Sequence, residues 1–351
     1  MKRTTLLLFI YAFIFASCDD DFSVNDNWKD ITIVYGLLNN TDTAQYIKIN
    51  KAFLGEGNVY EMADVSDSIQ YNKNLNVKLL EYKIKNTELD PYFNSNWEAT
   101  DRKPITLYKT NEIQKEEGVF GNDVNYLYKT TETLYDKYKY VIEIINTETN
   151  KKVTAETFMI YNLKVISPNA DIRFKVDMSN ERHQFTTSWK SAVYGKIYQV
   201  KLCFNYLEII NSDTIKKTVY FKYPEQKIPE VTLPGKQGAE MLQPVGGADF
   251  YQKIANAIDE QNNVKRIFSS IDFIYQVGGQ SFSTYLSVSN AVESYGQIPA
   301  AYTNIKNGKG IFDCRKSYKI QGKHITNASL DSLSIGRFTK HLRFVNWTLD
   351  Q

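Results

Sequence analysis

The chain has 351 residues, with 42 lysines and arginines against 40 aspartates and glutamates. A balance this close, with no basic block, supplies no row of phosphate contacts and excludes nucleic acid as the expected partner. Tyrosine (25) and phenylalanine (19) are abundant while cysteine (3) is scarce, which excludes a disulfide framework and points to sheet cores.

At the amino terminus Lys2 and Arg3 precede an apolar run, Leu6 to Ala16, too short to cross a hydrocarbon core of about 30 Å as a helix. The run therefore reads as an export signal over residues 1–17. It closes on Phe15-Ala16-Ser17-Cys18, which resembles a lipobox, with phenylalanine where leucine is usual. The resemblance implies lipidation of Cys18, which becomes the first residue of the mature chain. Removing residues 1–17 takes two cationic side chains and no acidic one, so the mature chain carries no formal net charge. Asp19, Asp20 and Asp21 follow at once, opening an acidic linker over 18–27. Acidic residues directly after a lipidated cysteine resemble the signal by which Bacteroidota lipoproteins reach the outer face of the outer membrane. A solvated acidic linker is the plainer reading of the same residues.

Residues 28–165 read as an immunoglobulin-like β-sandwich. Six runs rich in β-branched and aromatic residues, several of them alternating, mark strands: 31–38, 44–53, 75–84, 103–110, 126–131 and 138–145. Asn146 to Lys152 then turns the last of these into 153–160 as a hairpin. Leu134-Tyr135-Asp136-Lys137-Tyr138 has the spacing of a tyrosine corner at a strand entrance. Between the third and fourth runs, Asp90 to Trp97 sets Tyr92, Phe93 and Trp97 among asparagines. Flat aromatic faces beside amide donors suit a saccharide or a partner protein, and the same rings equally suit the lid of a sandwich core.

A break at Ser167-Pro168-Asn169 predicts a boundary near residue 165, after which 166–351 reads as a second β-rich domain. Strands are expected at 172–178, in a long hairpin of 197–210 and 215–223, and at 267–277, 282–289, 310–320 and 342–349. Residues 234–247 read as a Pro/Gly loop. One amphipathic helix is expected near 248–261, with Asp249 as its N-cap and Phe250, Ile254 and Ile258 on one face. Cys203 and Cys314 either pair in an oxidising exterior or lie buried as small apolar residues.

The segment Tyr302 to Arg315, YTNIKNGKGIFDCR, resembles an N-I-x-N-G-x-G-I-F segment late in uncharacterised two-domain surface lipoproteins of Bacteroidota. Such proteins are often encoded beside TonB-dependent receptors, which implies a binding accessory to nutrient uptake at the outer membrane. The alternative is a structural or adhesive surface component. Within the segment, Gly308 and Gly310 permit positive backbone dihedrals, Ile311 and Phe312 supply the core, and Asn304, Asn307 and Lys309 form a candidate polar rim.

Four positions, Thr43, Ser68, Thr214 and Ser332, follow an aspartate and precede a small or aliphatic residue. The pattern resembles the O-glycosylation site of Bacteroidota envelope proteins, although Asp-Ser and Asp-Thr are also ordinary turn pairs. His183, His324 and His341 are scattered, and neither a GxSxG elbow nor a phosphate loop occurs. The chain is therefore expected to be a non-enzymatic protein without metal or cofactor, a hydrolase being the less favoured reading.

Overall fold

A computed structural model describes residues 31–52, 70–71, 75–86, 96–114, 124–179, 182–211, 213–228, 238–295 and 302–346. The fold is mainly β. The first half supplies β1 (Ile31–Leu38), β2 (Gln45–Ala52), β3 (Leu75–Ile84), β4 (Trp97–Ala99), β5 (Ile105–Thr110), β6 (Leu127–Thr130), β7 (Tyr138–Asn146) and β8 (Lys152–Phe158). Burial alternates along most of them. In β2, Gln45, Ile47 and Ile49 are buried while Tyr46, Lys48 and Asn50 are half-exposed, the pattern of a sheet with one wet face.

The second half supplies β9 (Lys164–Ser167), β10 (Lys175–Val176), β11 (Gln184–Lys190), β12 (Ile197–Ile210), β13 (Asp213–Lys222), β14 (Gln226–Lys227) and β15 (Glu240–Gly246). After α1 (Gly247–Ala257) come β16 (Val264–Gly278), α2 (Gln280–Tyr295), β17 (Gly308–Ile325), α3 (Asn327–Ile335) and a single 3-10 turn at Lys340–Leu342. A 14-stranded sheet follows the path β13-β12-β16-β17-β1-β2-β6-β5-β3-β7-β8, with β10 paired to β17, β14 to β12 and β4 to β3 off that path, and β15-β11-β9 form a separate 3-stranded sheet.

β17 carries the later chain back to the earlier one. Its first residues, Gly308 to Cys314, pair in parallel with Thr32 to Leu38 of β1, whereas Arg315 to Lys323 pair antiparallel with β16. Across the sequence position where a boundary is expected, buried apolar side chains from Val34 to Phe344 form one cluster. Lys316, 2.5 Å from Asp136, and Arg315, 2.5 Å from Asp42, add ion pairs between the two halves.

Several expected elements differ. Residues 282–289 lie in helix α2, not a strand. Gly278 ends β16 and Gly279 follows it, the Asp313 carboxylate accepts the Phe282 N–H at 2.6 Å, and the Thr284 and Ser287 hydroxyls bond back to the Gln280 and Ser283 carbonyls. Helix α3 was not expected; its N-cap is Thr326, whose hydroxyl accepts the Ser329 N–H at 3.2 Å. The described residues thus hold three α-helices rather than one. Residues 342–346 make an isolated bridge, Arg266 to Phe344, in place of a strand. Of 172–178, Lys175 and Val176 alone are strand. Within the expected Pro/Gly loop residues 240–246 are β15, which accommodates Pro244 because it is an edge strand, paired on one side to β11.

Helix α1 lies where the periodicity places it, with Phe250 and Ile254 fully buried. Gly246, not Asp249, is its N-cap; Asp249 sits in the first turn and pairs with Lys253 at 2.6 Å. Segment 302–312 is ordered loop and strand, as its glycines and apolar residues predict.

Candidate binding face

The outward side of β2, β6 and β5 brings together residues that are far apart in sequence. In these strands Ile47, Tyr128 and Leu107 point into the core, so their neighbours Tyr46, Lys129 and Tyr108 point out. Register then aligns them: Lys129 lies opposite Tyr46 on one side and Tyr108 on the other, making a Tyr-Lys-Tyr row across three strands. Tyr108 is 72% exposed. Glu112 organises the row, since Lys129 Nζ lies 2.6 Å from its Oε1 and the Tyr46 hydroxyl donates to the same oxygen at 2.5 Å. Lys129, and after it Tyr46, hold the Glu112 carboxyl below its ordinary range, while Glu112 raises the Lys129 amine and the Tyr46 phenol.

Beside this row is a groove of ≈ 560 Å³ lined by Arg102, Lys103, Thr106, Lys109, Thr131 and Glu132. It exists because β5 changes partners. Ile105 to Leu107 pair with β3, and Tyr108 to Thr110 pair with β6, so β5 and β6 diverge from Tyr108 towards Ile105. Arg102 is fastened in the wall by Glu81 at 3.0 Å, its guanidinium 4.9 Å from the Tyr135 ring centroid. Lys109 donates to the Tyr71 carbonyl at 2.7 Å and lies 3.9 Å from the Tyr126 ring centroid, and burial pushes its amine pKa down. The arrangement offers flat aromatic faces, hydroxyls and cations to a polar ligand. Among the described residues no group of three or more His, Cys, Asp and Glu could hold a metal ion.

The residues singled out from sequence fall elsewhere. Cys18, Asp19, Asp20, Asp21, Ser68, Tyr92 and Phe93 lie outside the described residues. Trp97 is 6% exposed with its ring 5.4 Å from Phe158, the position of a core lid and not of an open ligand face. Thr43 is exposed in the bend after β1, and Thr214 is exposed on edge strand β13. Ser332 lies within α3 with its hydroxyl donating to Ser179 O at 2.5 Å and Ala328 O at 3.0 Å. Asn304 does not form a rim either, because its amide clasps the Phe312 backbone, donating to O at 2.7 Å and accepting from N at 3.0 Å. Asn307 donates to Lys152 O at 3.0 Å, and Lys309 is exposed. Cys203 and Cys314 are both free and buried. Tyr46, Tyr108 and Lys129 were legible as residues of strands, but nothing local announces that they share a row.

A second, smaller cavity of ≈ 300 Å³ lies at the start of α2, lined by Asp313, Ser281, Asn304, Lys306 and Glu156 among others. Asp313, 5% exposed, accepts from Thr157 Oγ1 at 2.8 Å and from the N–H groups of Phe282 and Cys314. These bonds tie α2 and β17 to β8. Burial nevertheless pushes the Asp313 carboxyl pKa up, its hydrogen bonds opposing the shift in part. A raised pKa means that the folded state holds a proton the unfolded chain releases at about 3.9. This contribution to stability is present in full below that pH and is lost as pH rises through the folded value. In urea unfolding at stepped pH from acid to neutral, Asp313→Asn should remove this decline; an unchanged slope would refute the assignment.

No protein-family model matches the chain, and no curated protein does. Among solved structures, a cytokine receptor complex is 8% identical, with 82% of this chain and 96% of that chain covered, at a TM-score of 0.19. The C-terminal globular domain of an oligosaccharyltransferase from Pyrococcus abyssi is 11% identical, with 85% and 50% covered, at a TM-score of 0.16. At TM-scores this low neither likeness informs fold or function.

Proposed function

We propose that the protein is a lipid-anchored, non-enzymatic binding accessory on the outer face of the outer membrane, serving a TonB-dependent nutrient receptor. The observation that carries this reading is the apolar run Leu6 to Ala16 ending at Cys18 and followed directly by Asp19, Asp20 and Asp21. The Tyr46-Lys129-Tyr108 face is the surface assigned to binding. We read residues 28–165 as an immunoglobulin-like sandwich and the remainder as a second domain. Supporting the first is the buried Tyr140, near the start of β7, whose hydroxyl accepts the Tyr135 N–H at 2.9 Å, a corner one turn of alternation beyond the expected Tyr138.

Cys18→Ala is expected to release the protein from the membrane fraction. Replacing Asp19, Asp20 and Asp21 with alanine should leave it lipidated and membrane-bound but protected from protease added to whole cells. Equal cleavage of that variant and the parent would sink the export reading. For the partner, crosslinking on intact cells should recover an outer-membrane receptor with the parent chain and lose it with Tyr108→Ala. Recovery of fibre or adhesin subunits instead would favour a structural role.

A further inference from the structure

We infer that the groove between β5 and β6 takes an extended acidic peptide, added as a short strand along the open edge of β5. The inference rests on the assignment of this face to binding. Its basis is the change of partner within β5: Ile105 to Leu107 pair on their β3 side alone, while Thr130 of β6 pairs with Gln45 of β2 on the opposite side from the groove. Two strand edges therefore face one another across a ≈ 560 Å³ space. Half the main-chain groups along such an edge point away from the existing partner, and an extended segment satisfies them by pairing. Three residues at about 3.4 Å each give a contact of roughly 10 Å, enough for a short strand.

Charge decides the occupant. The lining includes Arg102, Lys103, Lys109 and Lys129 against the single carboxylate of Glu132. Arg102 and Lys129 are already held by Glu81 and Glu112, but Lys103 is exposed at the mouth and makes no ion pair among the described residues. Lys109 is partly desolvated, so an anion placed beside it restores what burial takes from its charged form. In a strand paired to β5, alternate side chains point the same way, which sets carboxylates at every second position in one row along one face of the added strand. The exposed Tyr108 ring closes one end.

The probe is a fluorescent, end-blocked peptide of alternating valine and aspartate, five residues long, titrated into the full mature chain. It should bind, weaken with salt, and lose at least tenfold in affinity against Lys103→Glu, an exposed site whose change leaves folding intact. N-methylation of alternate peptide amides should abolish binding, and amide exchange should slow at 105–107 and 130–131. Equal binding of the N-methylated peptide, or of a lysine counterpart, would overturn the inference. So would binding of polygalacturonate in place of the peptide, or no binding by either at millimolar concentration. If the peptide fails while Tyr108→Ala still loses the receptor, the strand-addition inference falls and the binding face stands. If the peptide binds as described but Tyr108→Ala keeps the receptor, the inference holds and the assignment of that face to the receptor falls.

Discussion

Arg266→Met is expected to destabilise the protein by about 3–5 kcal/mol, the cost of removing one partner from a buried ion pair. Arg266 is 0% exposed on β16, directly opposite Glu208 of β12, and its Nε donates to Glu208 Oε1 at 2.9 Å. Its two terminal nitrogens donate to Leu342 O at 2.7 Å and Asp259 O at 3.0 Å. One guanidinium thus joins β12, the loop that follows α1 and the 3-10 turn at Lys340–Leu342. Methionine fills much of the volume but leaves Glu208 as a buried charge; Lys217, 3.8 Å away and half-exposed, replaces little of the lost attraction. The companion variant separates charge from packing. Arg266→Met with Glu208→Leu should recover much of the loss, because an apolar pair avoids the desolvation that the ion pair must offset. Urea midpoints at constant slope are the measurement. A loss below about 1 kcal/mol for Arg266→Met would show that the pair does not hold the C-terminal turn.

Gly310→Val should do comparable or greater damage, above about 4 kcal/mol, the range reserved for a named structural fault. Gly310 has φ +103, which a β-branched residue does not tolerate, and an added Cβ would run into the backbone of Val34. Gly310 and Val34 are partners in the parallel pairing of β17 with β1, so the fault falls on the strand that returns the late chain to the early one. Lys309→Ala, next to it and exposed, should stay within about 0.5 kcal/mol of the parent. Gly310→Ala keeps the test readable should the valine variant not accumulate, and is expected to be destabilised as well, since the positive φ and the clash both remain. A parental midpoint for Gly310→Ala would remove backbone conformation as the reason for glycine here.

Residue order alone determined the strands of the first half (short β4 apart), the 197–210 hairpin and helix α1, because the direction of a side chain follows from the period of its own element. Alternation in ITIVYGLL and QYIKINKA says which residues are buried whatever the partner strand is, and Phe250 and Ile254 share a face in any helix. Tertiary structure decided what depends on a partner distant in sequence. Residues 282–289 alternate well enough for a strand, yet they are helical where the Asp313 carboxylate, 31 residues later, receives the first turn's N–H. Trp97 reads as a loop aromatic until Phe158 is found beneath it. The Tyr46-Lys129-Tyr108 row needs the registers of two strand pairs, and the groove beside it needs β5 to leave β3 for β6 at Tyr108. Register and partner choice are set by the closure of the whole sheet, and a slip of one residue turns every side chain of a strand to its other face, so local pattern cannot specify them.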